Sequence, residues 1–128
     1  MSLSAFWMAL LGLAASFLPQ ELILHYGFSP DRRADLLIQV FGASYLGFAM
    51  LNWMARHNLM GGVYSRPVAL GNMVHFVVAA LSLVKAVMSG SARTSELMVM
   101  AAVYCIFAVW FGLVVFTNPL DKNRAVTK

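Results

Sequence analysis

The sequence predicts an all-α integral membrane protein, a bundle of four antiparallel transmembrane helices. Of its 128 residues, 61% are hydrophobic and only 11% are charged. The charged residues leave four uncharged stretches, residues 1–20, 36–55, 67–84 and 97–120. Each is as long as the roughly 18 to 20 apolar residues that cross a hydrocarbon core about 30 Å thick. Because lipid offers backbone groups no hydrogen-bond partners and the stretches lack polar alternation, we expect helices rather than a β-barrel.

We predict one membrane domain, residues 1–128, with spans at about 3–19, 34–55, 67–88 and 96–117. The first span meets Pro19, which ends or kinks a helix because proline lacks the backbone N–H. The segment that follows, as far as Phe28, is short and amphipathic, which is typical of a helix in the membrane interface.

Helix ends have their own signals. Ser29 is predicted to cap the second helix, with Pro30 in the first helical position. Gly61 and Gly62 predict a short turn between the second and third helices. Gly90 is expected to take a left-handed conformation where the third helix ends.

The charges indicate an orientation rather than a nucleic-acid partner. The net charge is +4, but the Lys and Arg residues lie in short connections and tails between the spans. With four spans, the side shared by both termini carries five of the nine basic side chains, and four acidic residues lie on the other side. Basic residues favour the cytoplasmic side. We therefore predict a multi-pass protein of the bacterial cytoplasmic (inner) membrane with both termini cytoplasmic.

No pattern in the sequence indicates catalysis or metal binding. Cys105 is the single cysteine, so there is no intrachain disulfide and no thiolate metal site. No carboxylate lies within the four uncharged stretches, at membrane depth, and neither an HExxH motif nor a credible Ser-His-Asp set occurs. We expect no enzyme activity of its own, no catalytic residue, no metal and no dedicated cofactor, although a bound lipid or quinone is compatible with the sequence.

Helix packing in lipid depends on close approach through small residues, because the hydrophobic effect does not drive helices together there. Small residues follow helical spacing along several of the predicted spans. The residues predicted to pack helices are Gly12 in the first, Gly42, Ala43 and Gly47 in the second, and Ala101, Cys105, Ala108 and Gly112 in the fourth.

His75 is the most informative polar residue, because it lies near the centre of the third uncharged stretch. Ionisable groups at such depth are costly and are candidates for function. Asn72 and Ser82 fall within about 80° of His75 around the helix axis. An antiparallel second helix brings Tyr45 to a depth similar to that of His75, and Asn52 nearer to Asn72. These five residues either hydrogen-bond neighbouring helices together or line a pocket for a quinone, lipid or isoprenoid.

Helices two and three carry a family resemblance. The stretches LLIQVFGASYLGFAMLNWMARHN from Leu36 and RPVALGNMVHFVVAALSLV from Arg66 resemble the small four-helix bacterial membrane proteins grouped as DoxX-like. The matching features are the Pro-Gln-Glu end of the first helix, Gly42 to Gly47, Asn52-Trp53 and Leu70-Gly71-Asn72. Some members accompany quinone-linked redox enzymes or other membrane complexes, so the resemblance implies an accessory or lipophile-handling role and transfers no catalytic residue.

Three hypotheses for function follow. The first is a non-catalytic subunit or assembly partner of a larger membrane complex, whose partners are the bilayer and other membrane subunits or further copies of the chain. The alternative is a lipophile-binding protein that uses the polar residues around His75. The third is a small transporter, which needs several copies because four helices enclose little space.

Overall fold

The structure is a computed structural model that describes residues 1–29, 31–57, 65–90 and 94–116. All regular structure in these ranges is helical, which confirms the all-α class for the described chain. The helices are α1 (Ser2–Phe17), α2 (Pro19–His25), α3 (Arg32–Ala55), α4 (Ser65–Met88) and α5 (Ser95–Phe116).

Three of these helices, α3, α4 and α5, are long and apolar enough to cross a membrane. Their bounds agree to within two residues with the predicted spans at 34–55, 67–88 and 96–117, apart from residue 117, which lies outside the described part. Helices α1 and α2 together are also apolar enough, but they are bent by 94° at their junction. The described chain therefore has three candidate spans, or four if α1 and α2 form one.

The bend lies at Leu18 and Pro19, so the first helix ends at Phe17 rather than at residue 19. Leu18 has φ −125° and ψ 45°, outside the helical region. Proline disfavours the helical conformation of the residue before it and suits the first position of a new helix. Pro19 accordingly ends α1 and begins α2.

A glycine turn ends α2. Gly27 has φ +75°, the left-handed region that glycine enters without strain. Its N–H donates to the Leu24 carbonyl at 3.0 Å, and the Phe28 N–H donates to the Ile23 carbonyl at 3.0 Å. This pair of bonds is a Schellman motif, and it satisfies carbonyls at the helix end while it turns the chain away from the α2 axis.

Asp31, rather than Ser29, caps α3, so the predicted cap was wrong. The extended backbone of Asp31 immediately precedes the first helical residue, and its carboxylate accepts from the Arg33 N–H at 3.3 Å. Pro30, Gly61 and Gly62, which carried predictions of their own, lie outside the described residues. The left-handed Gly90 is confirmed, with φ +72°.

Contacts divide the chain into two compact units, Met1–His57 and Asn58–Lys128. Helices α1, α2 and α3 pack together in the first unit, and α4 packs against α5 in the second. The single membrane domain remains a prediction.

In the first unit, α1 and α3 are antiparallel and cross at two glycines. Gly12 of α1 lies against Gly42 and Leu46 of α3, and Gly42 in turn lies against Gly12 and Ser16. A methyl group built on Gly42 would lie 2.7 Å from the Ser16 amide nitrogen and 2.9 Å from the Gly12 carbonyl oxygen. The backbones are thus so close that neither glycine tolerates a side chain without a shift of one helix.

In the second unit, the buried residues follow helical spacing on both helices. Those of α4 are Ala69, Asn72, Phe76 and Ala80, and those of α5 are Ala101, Tyr104, Phe107 and Phe111. The intervals of three and four residues place each set on one face of its helix. Only six residues separate the two helices, too few to lead the chain back along a helix of this length, so α4 and α5 are antiparallel.

We expect Gly42→Ala to destabilise the first unit, because the added methyl group meets the backbone of α1. Gly47→Ala is the matched control, since a methyl group there meets nothing within 4 Å. Both changes add the same group to α3, so their difference isolates the contact with α1. Overpacking of this kind costs about 1–3 kcal/mol. Unfolding of the full chain in mixed micelles by added SDS measures the loss of stability. Equal unfolding midpoints for the two variants would contradict the close crossing.

Candidate functional site

The residues predicted to surround His75 belong to both units. Tyr45 and Asn52 lie on α3 of the first unit, whereas Asn72, His75 and Ser82 lie on α4 of the second. Each set is therefore described within its own unit. The predicted approach of Tyr45 and Asn52 to His75 remains a prediction.

Within the first unit, Asn52 faces α1. Its side chain is fully buried, and its amide Nδ2 lies 3.6 Å from the Met8 sulfur, to which it donates. Thioether sulfur is only a weak acceptor. Because Met8 belongs to α1, the contact nevertheless places the polar Asn52 side chain inside the α1–α3 interface. Tyr45 is half-buried on the same helix.

On α4, Asn72 and Ser82 both bond to their own helix. The Asn72 amide is fully buried and donates to the Val68 carbonyl at 2.8 Å. The exposed Ser82 hydroxyl donates to the Val78 carbonyl at 2.9 Å. A bond to the carbonyl four residues earlier gives a polar side chain a partner within its own helix, so α4 helps to hold both side chains in place.

His75 is half-buried beside aromatic rings. Its imidazole meets the Phe76 ring edge-on, with ring centroids 5.2 Å apart, and the Tyr104 ring at a tilt of 45° and 6.1 Å. The polar residue nearest the predicted midplane therefore lies at the margin of the α4–α5 interface, beside the phenol ring of Tyr104.

Phe76 is the centre of an aromatic cluster that the sequence analysis did not identify. Its fully buried ring stacks on Phe107 at 4.8 Å and on Phe111 at 5.6 Å, and meets Tyr104 at 5.4 Å. Tyr104, Phe107 and Phe111 do recur at intervals of three and four residues in the sequence. That signal is hidden because nearly every residue of α5 is apolar, so no polar face marks the periodicity.

The predicted packing residues take different positions. Gly12 and Gly42 lie at the α1–α3 crossing, and Ala101 is buried between α4 and α5. Ala43 and Gly47 are exposed on α3. Cys105, Ala108 and Gly112 are half-buried, beside rather than within the row of α5 residues that contact Phe76. Aromatic side chains, not small residues, thus occupy the centre of the α4–α5 interface.

Among the described residues, no group of three or more His, Cys, Asp and Glu side chains is placed to hold a metal ion. Comparison with known protein families, with curated proteins and with solved structures finds no match to this chain.

Phe76→Ala is expected to destabilise the second unit strongly, because it removes the ring on which three other rings pack. A buried Phe→Ala change costs about 3–5 kcal/mol. Phe116→Ala is the control: it deletes the same side chain from a position that is 82% exposed. Thermal unfolding of the full chain in detergent, followed by circular dichroism, compares them. If Phe116→Ala lowered the midpoint as much as Phe76→Ala, the cluster would not be the core of this unit.

Proposed function

We propose that this chain is a non-catalytic integral membrane subunit that crosses the bacterial cytoplasmic membrane four times and assembles laterally with another membrane chain. Both termini lie in the cytoplasm. The arrangement is an antiparallel set of four crossings, formed by α1, α3, α4 and α5.

The register of α1 on α3 supports a crossing by α1. Along α1, Met8, Gly12 and Ser16 lie opposite positions of α3 that descend in number from Asn52 through Leu46 to Gly42. These positions span the interior of the uncharged stretch 36–55. A helix that stays antiparallel to α3 over this length passes through the hydrocarbon core beside it. The 16 residues of α1 rise about 24 Å, less than a core about 30 Å thick, and local thinning of the bilayer accommodates the difference, so that α1 crosses without α2.

Both ends of α3 have the features of a membrane boundary. Arg32 and Arg33 are exposed in its first turn. At the other end, the Arg56 guanidinium lies 3.7 Å above the Trp53 ring and donates to the Trp53 carbonyl at 2.9 Å. Tryptophan and arginine at a helix end are typical of the interface between lipid and water.

The observation that carries the assembly role is an exposed patch of small residues on α3, beside the face that meets α1. Ala43 and Gly47 are both exposed, and a methyl group on Gly47 would meet nothing within 4 Å. Gln39, one turn before Ala43, exposes its amide about one turn inside the uncharged stretch. Small residues permit close approach of another helix, and an amide at this depth favours a hydrogen bond across that contact.

Lipophile binding at His75 is less well supported. Asn72 and Ser82, the predicted ligand-binding neighbours on α4, donate to carbonyls of their own helix. Their geometry favours a structural role over a pocket that recognises a ligand.

Gly47→Leu is expected to disrupt lateral assembly while the chain stays folded, because the leucine fills the gap that a partner helix needs. Phe41→Leu is the control, since Phe41 is exposed on another side of α3 within the same uncharged stretch. A loss of close packing worth about 1.4 kcal/mol corresponds to a tenfold weaker complex. Native mass spectrometry of the tagged chain in native-lipid nanodiscs measures the assembled fraction. An unassembled wild-type chain, or equal assembly by both variants, would overturn the proposal.

Alkaline phosphatase fused after Lys128 is expected to remain inactive, because an even number of crossings returns the C terminus to the cytoplasmic side with the amino terminus. The same enzyme fused after Ala92, between α4 and α5, is expected to be active. Enzyme activity in intact cells, normalised to the amount of fusion protein, gives the comparison. High activity after Lys128 would contradict the orientation.

A further inference from the structure

We propose that α2 lies in the plane of one leaflet, at the boundary between headgroups and acyl chains, with phospholipid as its partner. It would act as a lateral anchor that sets the depth of the first unit in the membrane. The inference rests on the crossing of α1 proposed above and is independent of lateral assembly.

A hydrogen bond fixes the depth of α2. The Gln20 amide donates to the Asp35 carboxylate, with Nε2 and Oδ2 3.3 Å apart. Asp35 is the last charged residue before the uncharged stretch 36–55. The beginning of α2 is therefore level with the point where α3 passes from charged to apolar sequence.

The bend fixes the direction of α2. Helix α1 runs antiparallel along α3, and the axis of α2 is bent from that of α1 by 94°. Pro19 and Ile23 are buried where α2 packs against the rest of the first unit. At its other end, the left-handed Gly27 turns the chain away from the α2 axis before Asp31 begins α3. Because α1 crosses the membrane and α2 is nearly perpendicular to α1, a position at boundary depth means that α2 runs along the membrane plane.

The side chains around α2 suit this boundary. Leu24 is 59% exposed and Phe28 is 69% exposed, and Tyr26 is exposed between them. Phe17 and Leu18 are exposed at the bend. Apolar side chains at this density are unfavourable in water but insert among the upper acyl carbons, and tyrosine is favoured at the same level.

The charges near α2 show why insertion, rather than attraction to anionic lipid, is the force proposed. Glu21, Asp31 and Asp35 carry three carboxylates, and Arg32 and Arg33 carry two guanidinium groups. These nearly cancel, so the region has no excess of positive charge to attract anionic headgroups. Burial of apolar side chains is the contribution that remains.

Spin labels on single cysteines test the proposal in the full chain, with Cys105→Ala as background. The test positions are Leu24→Cys and Phe28→Cys. Arg32→Cys is the reference for the headgroup side of the boundary, and Ser44→Cys is the reference for the membrane interior, away from the proposed assembly contact; all four positions are exposed. The protein is reconstituted in vesicles of phosphatidylethanolamine with phosphatidylglycerol, and separately in vesicles of phosphatidylcholine alone. Depth is read from relaxation by oxygen against relaxation by a water-soluble nickel chelate.

We expect both test labels at about 5–10 Å below the headgroups, as for interfacial helices, between the two references and equally deep in both lipid mixtures. Test labels as accessible to nickel as Arg32→Cys would place α2 in water and overturn the proposal. Labels as deep as Ser44→Cys would also overturn it, because α2 would then be part of a re-entrant segment, and so would a depth that depends on anionic lipid. A label at Ser44→Cys that stays deep, together with an inactive C-terminal fusion, would preserve the four crossings even if α2 lies in water.

Discussion

The close crossing of α1 and α3 is the constraint on which the first unit depends. A methyl group built on Gly12 would lie 3.0 Å from the Gly42 carbonyl oxygen, and one built on Gly42 would lie 2.9 Å from the Gly12 carbonyl oxygen. Each glycine therefore directs a Cα–H toward the carbonyl oxygen of the other. Such Cα–H···O contacts recur between closely packed helices. In lipid, where apolar burial adds little to helix association, backbone proximity and dispersion are the main attractive terms. The crossing also sets the register that brings Asn52 to Met8 and Gln20 to Asp35.

The second unit uses different physics for the same task. Phe76 packs among three rings, so α4 and α5 are joined by large, interdigitated side chains rather than by close backbones. Stacked and edge-on rings add specific geometry to their large contact area. The chain thus packs helices in two ways. In the first unit, glycines let two backbones approach closely, and in the second unit large aromatic side chains fill the interface.

Several polar groups within the spans bond to their own helix. The hydroxyl of Ser44 and the amide of Asn72 each donate to the carbonyl four residues earlier in their own helix, as does Ser82. This bonding lowers the cost of a polar group in lipid without a partner helix. Several amides and hydroxyls on one helix can therefore suggest a binding site in the sequence, although in the structure these groups donate to carbonyls of the same helix.

The sequence by itself determined the helical class and the bounds of α3, α4 and α5, because scarce charges and long apolar runs admit few other structures in lipid. Pro19 and Gly90 likewise indicated helix ends, because their backbone preferences depend only on the local sequence. Which face of each helix packs was decided only by the tertiary structure. Gly42 lies in an interface while Ala43 is exposed, and Phe76 rather than a small residue occupies the α4–α5 centre. In a helix that is apolar on every side, periodicity no longer separates the packed face from the lipid face, so only contact with a second helix distinguishes them.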